Sequence, residues 1–156
     1  MAGTSSTTTS RVIAAPIETV FAAFMDPEAL EIWMCPGGMT GKIHEFDGRV
    51  GGGYRMSSFY SSTAAPGVGK TADREDRYPA RYLELDAPTR IVQAIEFDSP
   101  SALFSGEMRM EVRLVERGRN RTEVTIVFKD IPAGIRPEDN DAGTRSSLEK
   151  LARYVE

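Results

Sequence analysis

Polar and apolar positions change their spacing twice along the chain. In "APIETVFAAFMDPEALEIWM", Ile17, Val20, Phe21 and Phe24 fall at i, i+3, i+4 and i+7, the stripe of a helix with one buried face. Pro16 suits the first helical position, where its missing N–H costs nothing. Asp26 is an N-cap for a second short helix, with Pro27 at its first position and Glu28 complementing the dipole. Leu30, Trp33 and Met34 make that helix's apolar side, and "CPGG" ends it. From Thr40 onward the spacing shortens. "TGKIHEF", "YRMSSFY", "ARYLELD", "TRIVQAIEF", "GEMRMEVRLVE" and "TEVTIVFK" are short runs bounded by turn residues. Met108, Met110, Val112 and Leu114 alternate with Glu107, Arg109, Glu111 and Arg113, the pattern of an antiparallel strand with one wet face. Val124, Ile126 and Phe128 do the same in the last run. "DAPT" and "ERGRNRT" read as hairpin turns. The helical stripe then returns in Leu148, Leu151, Ala152 and Val155, after Pro137 and the acidic "EDND".

The first ten residues, "MAGTSSTTTS", carry no large apolar side chain past Met1 and read as a loose tail. A strand is expected near Arg11 to Ala14. The order is then strand, two short helices, a run of strands and a long amphipathic helix. Residues 11–156 are expected to form one α+β domain, a curved antiparallel sheet wrapped around the C-terminal helix.

Bulk properties narrow the partners. The chain has 156 residues, a net charge of -4 and one cysteine. That balance gives no footing for nucleic acid or an anionic membrane. A single cysteine cannot form an internal disulfide, which suits a reducing cytoplasm. No apolar run approaches the roughly 20 residues that span a bilayer.

Catalytic constellations are sparse. His44 is the one histidine, and no H-E-x-x-H, C-x-x-C or G-x-S-x-G occurs, so neither a metal nor another cofactor is expected. His44 alternates with Phe46, which places it on an inward position, as a hydrogen-bonded sheet residue. Cys35 reads as a small, partly buried residue. "EFDGRVGGGY" crowds four glycines, but they lead into a strand rather than a helix, and the spacing is not that of a phosphate loop. Asp47, Arg49, Gly51 and Gly52 are therefore read as a structural turn.

Four pieces carry a family resemblance: "APIETVFAAFMDPEALEIWM", "FDGRVGGGYRM", "ELDAPTRIV" and "AGTRSSLEKLARYVE". Their order and content resemble the START-like, or helix-grip, superfamily (SRPBCC). Within it the likeness is to the domain named for the activator of the heat-shock-protein-90 ATPase. The D-x-R-x-G-G piece is the most specific. Many members carry Gly-Trp entering the last helix, whereas Gly143 is here followed by Thr144.

The resemblance implies the helix-grip fold and a cavity between the long helix and the sheet. Inward methionines and aromatics are its expected lining: Trp33, Met34, Tyr54, Met56, Phe97, Met108, Met110 and Phe128, with Leu148 and Leu151 from the helix. His44, Gln93 and Arg81 are the expected polar groups, and the loop from Ser61 to Arg77, with Arg74, Glu75 and Arg77, the expected mouth. Two functions follow as expectations. One is binding of a small hydrophobic, lipid-like or aromatic molecule, with little or no catalysis. The other is contact with a chaperone whose ATPase it stimulates. A monomer or a homodimer fits either.

Overall fold

The computed structural model describes residues 5–60, 75–99 and 101–156. Seven strands, β1 (Ser5–Ile13), β2 (Thr40–Asp47), β3 (Gly53–Phe59), β4 (Glu75–Asp86), β5 (Arg90–Ile95), β6 (Met108–Glu116) and β7 (Thr122–Ile131), form one antiparallel sheet. Its spatial order is β1-β7-β6-β5-β4-β3-β2, so the chain meanders from β2 to β7 and the first strand closes beside the last. Helices α1 (Ile17–Phe24) and α2 (Pro27–Trp33) fill the link from β1 to β2, and α3 (Pro137–Val155) ends the chain. This is the α+β helix-grip arrangement.

The alternation in β6 is realised directly. Met108, Met110, Val112 and Leu114 are all buried on the inner face, while Arg109 and Arg113 face out. Glu111 also points outward yet is covered, because Arg90 Nε and Arg113 Nε donate to its Oε2 at 2.8 and 2.9 Å. The Arg113 bond is the chief reason that its carboxyl falls to about 2.

The two ends of α3 serve different purposes. Leu148 and Leu151, both 0% exposed, and Ala152 pack on the core. Toward the N-terminus the same face carries Gly143, Thr144 and Ser147. Small residues there keep the helix from filling the space beneath it. Asp26 caps α2 by accepting from Glu28 N at 3.0 Å. Trp33 is fully buried, donates from Nε1 to Ala23 O at 3.0 Å, and meets Phe24 edge-on at 4.7 Å. Together they lock α2 against α1.

Three expectations need correction. The stretch from Ser5 is not a loose tail: it is the start of β1, paired with β7 from Ser5↔Ile131 to Ile13↔Thr122. Threonine is β-branched and suits an edge strand without apolar neighbours. Thr7 and Thr9 also donate to Asn140 Oδ1 and Asp141 Oδ1 of α3 at 2.6 and 2.5 Å. Pro16 is the N-cap of α1, with extended ψ of 150°, rather than its first helical residue. The charged run before Tyr78 is partly strand, since β4 begins at Glu75.

The glycine-rich turn joins β2 to β3. Arg49 Nε donates to Asp47 Oδ2 at 3.1 Å across it. Gly51 N donates to Tyr82 O, and Tyr82 N to Gly52 O, each at 3.0 Å, which ties the turn to β4. A side chain on Gly53 would place its Cβ 1.9 Å from Ala80 O, so only glycine lets β3 and β4 approach there.

Candidate functional site: a cavity beneath the C-terminal helix

The small residues of α3 face a cavity of about 330 Å³ between that helix and the sheet. Its size falls within the ~300–1,000 Å³ range of small-molecule sites. Strands β5 to β7 supply an apolar floor of Ile95, Met108, Met110, Ile126 and Phe128. Trp33, Met34, Pro36 and Met39 close one side, and Phe97 and Ile135 lie at another. Tyr54, Ser58, Tyr60, Asp76 and Tyr78 add a more polar wall from β3 and β4. Asp139, Asn140, Gly143, Thr144 and Ser147 form the roof.

The two hydroxyls of the roof are already satisfied. Thr144 Oγ1 donates to Asn140 O at 2.8 Å, and Ser147 Oγ to Met34 O at 2.6 Å. These hydroxyls hold the helix and its link to α2, leaving the cavity's inner surface mainly hydrocarbon and aromatic. On the β3–β4 wall, Tyr60 donates to Asp76 Oδ2 at 2.7 Å. Burial lifts Tyr54 to about 12 and Tyr78 well above its ordinary value, so both phenols are neutral near neutral pH. Cys35 lies just behind, 1% exposed, with Sγ 3.0 Å from Ser58 Oγ. Burial raises its thiol too, which opposes thiolate chemistry.

The structure gathers Trp33, Met34, Tyr54, Phe97, Met108, Met110 and Phe128 around this space. It places the other expected lining residues elsewhere. Met56, Leu148 and Leu151 are each 0% exposed but belong to the solid core. Gln93 stands one layer back, donating to the Tyr54 hydroxyl at 2.9 Å. Arg81 is on the outer face, near Glu107 Oε2 at 3.3 Å, because Ala80 and Tyr82 take the inward positions of β4.

His44 is also outside. A bulge between Ile43 and Glu45 adds one residue, so Phe46 shares the inward face with Ile43 and not with His44. Its Nε2 lies 2.9 Å from Ser57 Oγ on the outer face, and Ser57 donates on to Glu75. Of the expected mouth, residues 61–74, Arg74 included, lie outside the described residues; Glu75 and Arg77 sit on outward positions of β4.

Sequence reasoning missed several wall residues. Asp76 and Tyr78 sit within or beside a charged run that resembles solvated loop. Thr144 and Ser147 look like a wet helix face, although their i+4 relation to Leu148 and Leu151 was a usable signal. Among the described residues, no group of three or more His, Cys, Asp or Glu is placed to hold a metal ion.

The family model for activator of Hsp90 ATPase homolog 1-like proteins matches residues 14–156. The chain belongs to this family. The crystal structure of protein CV1439 from Chromobacterium violaceum is similar to it, at 33% identity over 96% of each chain and with a TM-score of 0.84. The Mll3558 protein of Rhizobium loti is 26% identical, covering 96% of this chain and 95% of its own, at a TM-score of 0.69. A solution structure from Arthrobacter aurescens reaches a TM-score of 0.76 at 18% identity, covering 96% and 85%, a likeness of fold alone. No curated protein matches. Among the described residues, no helix of this AHSA1-like chain is long and apolar enough to cross a membrane.

Proposed function

We propose that this AHSA1-like protein is a non-catalytic or weakly catalytic binder of a small hydrophobic molecule, held between α3 and the sheet. The single observation that carries this reading is the 330 Å³ cavity with a floor of methionine, isoleucine and phenylalanine. Methionine side chains adapt to ligand shape, and the aromatic rings give flat contact area. The cytoplasm is the proposed compartment, on the strength of the one cysteine, and the ligand a lipid-like or aromatic compound.

Native mass spectrometry of the purified protein tests this. The expected result is a small apolar adduct, absent from Thr144→Leu, whose larger side chain projects into the cavity. Wild-type protein that is empty, and whose thermal midpoint does not move with added ethylnaphthalene, would overturn the reading.

A second reading has one supporting observation, the family description itself. It makes the chain a module that contacts an Hsp90-type chaperone. ATP turnover of that chaperone, measured with and without saturating protein, decides it: stimulation supports contact, and an unchanged rate removes it.

A further inference from the structure

The β3–β4 wall carries donors that the apolar reading does not use. Tyr54 and Tyr78 both line the cavity. The register pairs Tyr54 with Ala80 and Met56 with Tyr78, so the two tyrosines are diagonal neighbours on one face of adjacent strands. At that spacing, roughly 7–8 Å, long aromatic side chains reach the same space.

Their hydrogen bonds leave a specific capacity. Gln93 Nε2, on a residue 2% exposed, donates to the Tyr54 hydroxyl at 2.9 Å. That bond uses an oxygen lone pair and leaves the phenol proton to donate elsewhere. Among the described residues no acceptor takes it. Tyr78 donates to Met56 Sδ at 3.4 Å, a weak thioether acceptor that a better one displaces, while Ser58 also engages the phenol oxygen.

The charge of the wall restricts what that better acceptor is. Asp76, 6% exposed, lines the cavity, and Asp139 lies at its roof. The described lining residues include no lysine or arginine. Among the described lining residues, a carboxylate or phosphate on a ligand would lose its hydration, meet no cation and lie near Asp76. A neutral oxygen pays none of these costs.

We propose that the cavity selects a neutral ligand with an apolar body and one oxygen acceptor, such as a ketone or ester carbonyl, which the Tyr54 and Tyr78 hydroxyls bind. This rests on the binding function above and narrows its ligand class. It separates this site from one built for fatty-acid carboxylates.

The test uses three naphthalenes of matched size bearing an acetyl, an ethyl or a carboxylate group at the same ring position. Binding is followed by the indole N–H resonance of Trp33, the chain's one tryptophan. The acetyl compound is expected to bind roughly threefold to tenfold tighter than the ethyl compound, the worth of one good hydrogen bond. The carboxylate is expected to bind weakest. Tyr54→Phe and Tyr78→Phe should each lower the ratio of acetyl to ethyl affinity toward one.

Tyr54→Phe also strips Gln93 of its partner, so its far-ultraviolet circular dichroism is recorded alongside. Tyr78→Phe loses the thioether contact and the bond with Ser58, leaves Gln93 paired, and carries the test if the first variant unfolds. Equal binding of the acetyl and ethyl compounds, or tightest binding of the carboxylate, overturns this inference while leaving a hydrophobic binder. Failure of all three to bind overturns both.

Discussion

Replacing Leu151 by alanine tests whether α3 grips the sheet. Leu151 is 0% exposed and sits in the core cluster beside Leu148 and Ala152, clear of the cavity. Truncation removes three carbon groups at about 0.8 kcal/mol each, or about 2.4 kcal/mol of transfer free energy. The void left behind adds about 24 cal/mol per Å³ that the surroundings fail to close. The expected total is therefore roughly 2–5 kcal/mol, toward the upper end because β-sheet backbone lies under one side and cannot collapse freely. Met110→Ala is the internal comparison. Met110 is 2% exposed but borders the existing cavity, so its truncation enlarges a space rather than creating one. Its loss should be smaller than that of Leu151, and ligand affinity should change instead. Urea denaturation, followed by circular dichroism, gives both values with the m-value as a check on two-state behaviour. A Leu151→Ala midpoint equal to wild type would refute the packing argument. A Met110→Ala loss larger than that of Leu151→Ala would show that the space above the sheet is filled by packing.

Three further outcomes follow from the same geometry. Tyr82 is 1% exposed, and its hydroxyl is buried with no partner among the described residues; Tyr82→Phe should therefore leave stability unchanged or raise it by up to about 1–3 kcal/mol, read from the thermal midpoint. Glu111 has a folded-state carboxyl lowered from 4.5 to about 2, so its contribution is complete above 4.5 and disappears as pH falls through about 2. Because Arg90 and Arg113 are 37% and 57% exposed, solvent screens the pair and the contribution is about 1–2 kcal/mol. Glu111→Gln should flatten the acid limb of the stability–pH curve between 4.5 and 2, and an unaltered limb would contradict this assignment. Gly53→Ala should unfold the β3–β4 edge because of its 1.9 Å backbone clash, whereas Gly51→Ala, at a φ of +86° in open space, should cost only about 1 kcal/mol. Denaturation midpoints that rank the two glycines the other way would contradict the turn geometry.

The parts of the fold that were legible in the sequence are those where burial follows a simple period. Met108 to Leu114 alternate because one face of β6 is core and the other wet, and Leu148, Leu151 and Ala152 repeat because one stripe of α3 is buried. Departures arise where something other than hydrophobicity sets the structure. β1 is held by backbone pairing to β7 and by threonine hydroxyls on α3, so Ser5 to Ser10 show no apolar pattern. His44 was misplaced by a one-residue bulge, which reverses parity without changing composition. The apolar floor of the cavity was readable for the same reason as β6. Its roof was not, because the feature that makes room is small polar residues whose hydroxyls bond to backbone. Its β3–β4 wall was hidden because Asp76 and Tyr78 flank Arg77, which faces the other side of the same strand.

The methionine methyl groups offer the most direct test of the central claim, that an apolar molecule occupies the space between α3 and the sheet. Met34, Met39, Met108 and Met110 line that space, while Met25 packs against the core near Gly48, away from it. In protein carrying isotope-labelled methionine methyls, titration with ethylnaphthalene should shift the four lining resonances together, with nuclear Overhauser contacts to the ring protons, and leave Met25 in place. Shifts confined to Met25, or no shift in Met108 and Met110 at saturation of the solution, would contradict the account.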